Sequence, residues 1–414
     1  ARMEAEAREW EALLATGRVG EITLGAVGRS ISPAINQAIS DFNFQHPYSQ
    51  IRVKQYGTTF GNDFSEGLNQ LNTDIISGRC PDILLLPQNL SLSAYITQGV
   101  FQDLYPFIEA DTSFDIADYQ ENIIKAYEFG GGLFGIPISF FIDTVYGKAS
   151  HLEGRTSWNL AEFIEFCEQF PDSMIFHHPT KTAVLDVLLK ANGGNMVNWS
   201  NGDFDREMLF TMLEFAGRFV DTERHSDERM VMERIEAGDI HLMTGYASPG
   251  QQYDMAIFGE PIRQIGFPDE TGNGLLIVAD SAAISSSCQH TDTAWQFIKL
   301  LLSDEVQNNP YLHGYQIKRS SMERQIEASQ KARGEAGATG DGINVQYELH
   351  GTSDEEVRIF REILNTASRI RMFDYQIDMI IKEEAGAYFS GSKPLDVVAD
   401  IIENRVQVYV KESR

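Results

Sequence analysis

The stretch from residue 21 to residue 87 switches between two hydrophobic periods, and that constrains the fold more than anything else in the chain. Glu21-Ile22-Thr23-Leu24 begins a strand. Pro33 sits at a helix start, followed at helical spacing by Ile35, Ala38, Ile39 and Phe42. Ile51-Arg52-Val53-Lys54-Gln55-Tyr56 then alternates apolar and polar residues, as a half-buried strand does. Phe64, Leu68, Leu71 and Ile75 form a second helical stripe, closed by Gly78. Pro81-Asp82-Ile83-Leu84-Leu85-Leu86-Pro87 is short and continuously apolar, the mark of a strand covered on both faces. Strand, helix, strand, helix, strand in so few residues predicts a parallel sheet in an α/β fold.

Beyond this unit, Tyr127-Glu128-Phe129, Gly130-Gly131-Gly132 and Leu133-Phe134-Gly135-Ile136-Pro137 read as a hairpin around a glycine turn. After about residue 150 helices dominate. Asn159 and Glu162 form a capping box ahead of Phe163 and Phe166. Periodicity predicts later helices over 181–190, 205–219, 227–236, 290–301, 320–331, 353–368, 374–388 and 394–411, and strands over Ile240–Thr244 and Leu276–Ser281. The Gly-, Ala- and charge-rich stretch Lys331–Thr352 reads as a surface excursion. A polar, Glu-rich helix is expected over residues 4–17.

Charge and composition remove several classes of function. Lys and Arg number 33 against 60 Asp and Glu, a net charge of −27, which repels phosphate backbones and anionic headgroups. Nucleic acid is therefore not an expected partner, and a neutral or cationic ligand suits the surface better. Cys80, Cys167 and Cys288 are too few for a disulfide framework and lack metal-ligand spacing. No apolar run approaches the roughly 18 residues of a membrane span.

Motifs for catalysis are nearly absent. Gly130–Gly135 lacks the Lys-Ser/Thr ending of a phosphate loop and does not join a strand to a helix. Gly245-Tyr246-Ala247-Ser248-Pro249-Gly250 misses the spacing of a nucleophile elbow, and Pro249 would distort its turn. His177-His178 are adjacent, so they point apart on a regular element, and no third ligand lies at suitable spacing. Acidic residues abound, but no pair stands out as the acid and base of a glycosidase. The expectation is no enzyme, no cofactor and no metal.

What remains is apparatus for recognition. Trp158, Trp199 and Trp295, with 15 Tyr and 25 Phe, offer flat apolar faces. Trp295 falls on the apolar face of an amphipathic helix and is read as core. Trp158 precedes a helix cap and is read as a structural staple. Trp199 follows a turn-rich loop and is the one read as exposed.

Several segments, in order, match a known pattern. These are Phe42-Asn43 followed by Ile51-Arg52-Val53, then Ser77-Gly78-Arg79-Cys80-Pro81-Asp82-Ile83, Phe101-Gln102-Asp103-Leu104 and Gly132–Pro137. Near the end come Glu383-Glu384 through Tyr388-Phe389-Ser390-Gly391, and Asn404-Arg405-Val406. With these segments the chain resembles the extracellular family 1 solute-binding proteins of bacterial ABC importers, the family that includes maltose-binding protein.

The resemblance implies an α/β, two-lobe, type II periplasmic-binding-protein-like fold with hinge strands and a central cleft. One lobe would take 18–140 plus 281–316, the other 143–279 plus 320–414, with 1–17 as a helical extension. Crossings are expected near Phe140–Ile142, Asp280–Ala282 and Gln316–Arg319. Ligands of open α/β sheets sit beyond the carboxyl ends of strands. In the implied cleft that selects Arg29, Thr58, Thr59, Phe60, Gln88 and Asn89 in one lobe, with Phe140 and Phe141 at the first crossing and Asp280 at the second. In the other lobe it selects His178, Trp199, Tyr246, Phe373 and Tyr375. Tyr246 stands where sugar binders of the family carry a stacking aromatic, although tryptophans in the expected cleft loops are few.

The function implied is capture of a carbohydrate, an oligosaccharide, for delivery to ABC permease subunits by a monomeric, cell-surface protein. A polyamine or peptide receptor is the alternative within binding functions, and a glycoside hydrolase the alternative from another class. Ala1-Arg2-Met3-Glu4 does not read as a signal sequence. A processed form or one domain of a larger surface protein is expected, with any export signal or lipid anchor outside these residues.

Overall fold

The computed structural model describes residues 20–28, 31–57, 63–86, 92–152, 154–171, 173–199, 201–221, 230–269, 274–340, 342–370 and 374–412. The helix expected over residues 4–17 lies outside them. The chain divides into two compact units. One is drawn from Ala1–Gln88, Leu92–Phe140 and Ala279–Glu323, the other from Asn89–Ser91, Phe141–Val278 and Arg324–Arg414.

In the first unit the alternation seen in the sequence becomes a sheet with helices. Strand Gly20–Val27 pairs in parallel with Ser49–Tyr56 on one side and with Ile83–Leu86 on the other. The helix Pro33–Gln45 starts with its proline in the first turn, and the Ser32 hydroxyl caps it by accepting from the Ile35 amide. Its apolar face, including Ile35, Ile39 and Phe42, is buried, and Phe42 meets Phe297 edge to face at 5.4 Å.

Asp82 of the Pro-Asp-Ile segment has a local job. Its carboxylate accepts from both the amide and the hydroxyl of Thr23 at 2.8 Å, which fixes the third strand against the first. The sheet is mixed rather than purely parallel, because Ser281–Ile284 of strand Leu276–Ile284 runs antiparallel to Ile83–Leu86.

The second unit begins where strand Ile136–Lys148 continues past Phe140. There the strand pairs antiparallel with Ile240–Tyr246 and with Ile262–Ile265. Helices Leu160–Glu168, Lys181–Asn192, Arg206–Ala216, Tyr375–Phe389 and Leu395–Glu412 bury one large core that contains Phe163, Leu188, Leu213 and Ile402. The capping box is present in full, with Asn159 and Glu162 exchanging side-chain to backbone bonds at 2.9 Å. Trp158 is buried, and its indole N–H donates to the Gly266 carbonyl at 2.7 Å.

The stretch Lys331–Thr352 departs from expectation. It is a β-hairpin, Gly334–Gly340 against Ile343–Leu349. Ile343 and Val345 are buried in a smaller core with Ile257 and Phe258, so the return strand carries most of the apolar face, with Ala338 of the first strand packed at its edge. The hairpin Glu128–Phe129 with Gly132–Leu133 forms as the glycine turn predicts. Cys80, Cys167 and Cys288 are all free thiols.

Candidate functional site

Strand register builds the site in the second unit. Asp143 pairs with Tyr246 and Thr144 with Gly245. Side chains alternate along a strand, so Phe141 and Asp143 share a face, and the residue across from Asp143 projects on that face too. Tyr246 thus becomes the diagonal neighbour of Phe141. Their rings stack with centroids 4.4 Å apart at an interplanar angle of 25°.

Tyr246 is 46% exposed, although it ends a strand whose first four residues are buried. Two main-chain features hold it there. The ladder runs on beyond it, with the Ala247 amide donating to the Ile142 carbonyl at 2.8 Å. Gly245 before it lets the ring of Tyr146 pack closely, since a Cβ at that position would lie 3.0 Å from that ring.

Polar groups flank the stack. Asp143 is only 3% exposed, and Lys190, near the end of helix Lys181–Asn192, brings its ammonium to 3.6 Å from the carboxylate. The same ammonium lies 5.2 Å from the centre of the Phe267 ring. An acceptor and a donor are therefore held beside an aromatic face. Beneath Gly245, Tyr146 shares a hydrogen bond with Asp254, and burial pushes the Asp254 carboxyl up to about 6. Burial, with Asp254 adding to it, drives the Tyr146 phenol far above its ordinary range.

A second grouping joins Trp199 to the start of helix Tyr375–Phe389. Trp199 is half-buried, edge-on to Tyr409 at 6.1 Å. The Tyr409 hydroxyl donates to Asp374 at 3.2 Å, and Asp374 caps the helix that opens with Tyr375 by accepting from the Ile377 amide. Neither Asp374 nor Tyr409 was singled out from sequence. An Asp at the first residue of the helix expected over 374–388 is the one signal available there, since Asp favours the capping position.

The remaining candidates are dispersed. Phe140 alternates to the opposite face from Phe141, is fully buried in the first unit and packs 6.0 Å from Tyr315, so it serves the core. Asp280 lines a cavity of about 40 Å³ in the first unit with Val27, Ser32 and His313. That volume suits about one water molecule. His178 is exposed between strand Ile175–Phe176 and the Lys181–Asn192 helix, its ring 4.1 Å from His177. Arg29, Thr58, Thr59, Phe60, Gln88, Asn89 and Phe373 lie outside the described residues. Among the described residues no group of three or more His, Cys, Asp or Glu is arranged to hold a metal ion. Nor is any described helix long and apolar enough to cross a membrane.

Residues 37–332 match a protein family described as bacterial extracellular solute-binding protein. The chain belongs to this family. The family is one of substrate-binding, non-enzymatic proteins of ABC transporters.

The fold of this solute-binding protein is similar to the sugar-binding protein MalE from Xanthomonas citri, with a TM-score of 0.59 and 14% identity over 95% of this chain and 98% of that one. It is also similar to the ABC substrate-binding protein Lmo0181 from Listeria monocytogenes in complex with cycloalternan, with a TM-score of 0.56 and 14% identity over 95% and 99%. A family 1 extracellular solute-binding protein from Alicyclobacillus acidocaldarius gives a TM-score of 0.54 and 16% identity over 95% and 98%. Likeness at these identities establishes the two-lobe, type II periplasmic-binding-protein fold of the solute-binding protein and leaves its ligand open. No curated relative matches the chain.

Proposed function

We propose that this protein captures a carbohydrate, an oligosaccharide, and hands it to the permease subunits of an ABC importer without making or breaking a bond. The reading rests on the Phe141–Tyr246 stack. One ring backs the other, and Tyr246 stays 46% exposed beside the Asp143–Lys190 pair. A pyranose has apolar C–H faces and a rim of hydroxyls. An exposed aromatic face with an adjacent acceptor and donor matches both kinds of surface. The sugars named with similar structures, cycloalternan for the Listeria protein and tagatose for one from Thermotoga lettingae, favour the same class.

On this reading the two units close on the ligand by changes confined to the crossing strands, which removes water from the sugar while each unit stays rigid. The protein works as a monomer outside the cell, held at the membrane by a lipid or by a segment outside these residues. A polyamine or peptide ligand is the second reading, favoured by the net charge of −27. A thermal-shift screen of oligosaccharides, amino acids and polyamines separates the two. Incubation of any hit with the protein, followed by product analysis, tests for hydrolysis.

A further inference from the structure

The three cysteines take no part in the site described above, and two of them, Cys80 and Cys288, flank one residue pair in the first unit. Strand Ile83–Leu86 runs antiparallel to Ser281–Ile284, with Ile83 opposite Ile284. One step further the Ser285 amide donates to the Asp82 carbonyl at 2.9 Å, so Asp82 and Ser285 close that end of the ladder. Cys80 precedes Asp82 by two residues and stands directly before Pro81, which favours extended backbone there. Alternation then puts the Cys80 side chain on the face that Asp82 and Ser285 share. Beyond Ser285 the chain turns back, with the Cys288 amide donating to the Ser285 carbonyl at 3.1 Å.

Each thiol reaches the opposite member of the pair. The Ser285 hydroxyl is the hydrogen-bond partner of the Cys80 thiol, and the Asp82 carboxylate is that of the Cys288 thiol. These crossed contacts bring both sulfurs to the Asp82–Ser285 pair. A disulfide needs Cα atoms about 4.4–6.8 Å apart, the spacing of neighbours across an antiparallel ladder. Burial raises both thiols above their ordinary range, Cys288 to about 12. Cys80 is the more accessible of the two, half-buried where Cys288 is buried. Cys167 is packed in the core of the other unit, away from both.

The family is described as extracellular, and disulfides form and persist outside the cell. We propose that Cys80 and Cys288 are an oxidisable pair that closes to a disulfide by exchange with a small disulfide such as oxidised glutathione. The Cys80 thiol gives up its proton and its sulfur attacks, releasing one glutathione thiolate, which takes up a proton. Cys288 displaces the second glutathione from the mixed disulfide in the same way. Two protein thiols are oxidised to one disulfide, and one small disulfide is reduced to two thiols. The bond staples Ala1–Gln88 to Ala279–Glu323, two of the three segments from which the first unit is built. It restrains the unfolded chain across a long loop, the case in which a cross-link has most to constrain. It also lies at the amino end of the Ile83–Leu86 strand, away from the carboxyl ends where ligands of such sheets sit. The inference therefore holds whichever ligand the protein carries.

The test is thiol counting on the whole chain. One sample is incubated with oxidised glutathione and another with dithiothreitol; both are then unfolded in guanidinium, alkylated and weighed by mass spectrometry. The reduced chain should take up three alkyl groups, one on each cysteine, and the oxidised chain one, a loss of two. Digestion of the oxidised chain without reduction should yield Cys80 and Cys288 in one linked peptide. Cys167→Ser should still lose two thiols, whereas Cys288→Ser should stop at a glutathione adduct on Cys80. If Cys288→Ser fails to fold, the linked peptide of the unmodified chain decides. Three alkylated thiols after oxidation, glutathione adducts that persist on the unmodified chain, or a linked peptide that contains Cys167 overturns the proposal.

Discussion

Nδ1 of His241 stands 3.2 Å from Nδ1 of His151, with the His241 ring stacked at 3.8 Å on Phe170. This pairing tolerates one proton between the two facing nitrogens. Burial first, and then the neighbouring imidazole, lowers His241 from the ordinary histidine range to about 4. The unfolded chain takes up that proton near pH 6.5 and the folded one only near 4, so stability is lost as pH falls through this window. The loss should reach about 3 kcal/mol. Urea unfolding at pH 7, 5.5 and 4 follows it, and His241→Asn should remove this acid loss and leave the contribution of Asp254, which has the opposite sign.

Asp254 works in the opposite direction. Its carboxyl is raised to about 6 by burial, so the folded state holds a proton that the unfolded state has released above about pH 4. Stability from this group is present in acid and lost as pH rises toward 6. Asp254→Asn keeps an acceptor for the Tyr146 hydroxyl and removes the buried charge. It should stabilise the protein by up to about 2 kcal/mol at pH 7.5 and by almost nothing at pH 3.5. Because the two groups oppose each other between pH 4 and 6, the unmodified chain should show a shallower acid profile than either variant.

Two helical glycines should respond in opposite senses to alanine. Gly386 lies exposed within helix Tyr375–Phe389, and an added Cβ would meet nothing within 4 Å. Gly386→Ala should therefore stabilise by roughly 0.5–1 kcal/mol through helix propensity. Gly67 is buried in helix Asp63–Ile76, where a Cβ would fall 2.4 Å from the Tyr56 carbonyl oxygen. Gly67→Ala forces that helix off its strand and should lower the melting temperature. Thermal denaturation of the two variants side by side checks the contrast.

Trp158→Phe should cost about 1–3 kcal/mol, because it leaves the buried Gly266 carbonyl without the indole donor. Chemical unfolding of this variant reads the value directly.

Local signals in the sequence translated well into structure. Pro33 with its helix, the Asn159–Glu162 capping box and the apolar Ile83–Leu86 strand each depend on a few neighbouring residues, and each is present. The Gly334–Gly340 strand was not legible. Its glycines and alanines show no alternation, and it is a strand because Ile343–Leu349 pairs with it. The site divides along the same line. Tyr246 is nominated by its place after the Ile240–Thr244 segment, whereas the positions of Asp143 and Lys190 beside it depend on register and on a helix packed from elsewhere in the chain. Phe140 and Phe141 look equivalent as neighbours in sequence. Strand alternation sends one into the core and brings the other against Tyr246.

The most direct measurement is calorimetric titration of neutral oligosaccharides into the intact protein and into Tyr246→Ala. A carbohydrate receptor should give a saturable isotherm with no turnover. Its ligand, at about 100 times the dissociation constant, should add about 2.7 kcal/mol to stability. Tyr246→Ala should bind at least tenfold more weakly, a loss of about 1.4 kcal/mol or more, with an unchanged fold by circular dichroism. Binding of the same oligosaccharide with undiminished affinity by Tyr246→Ala would contradict the account, as would a polyamine or peptide being the only ligand bound.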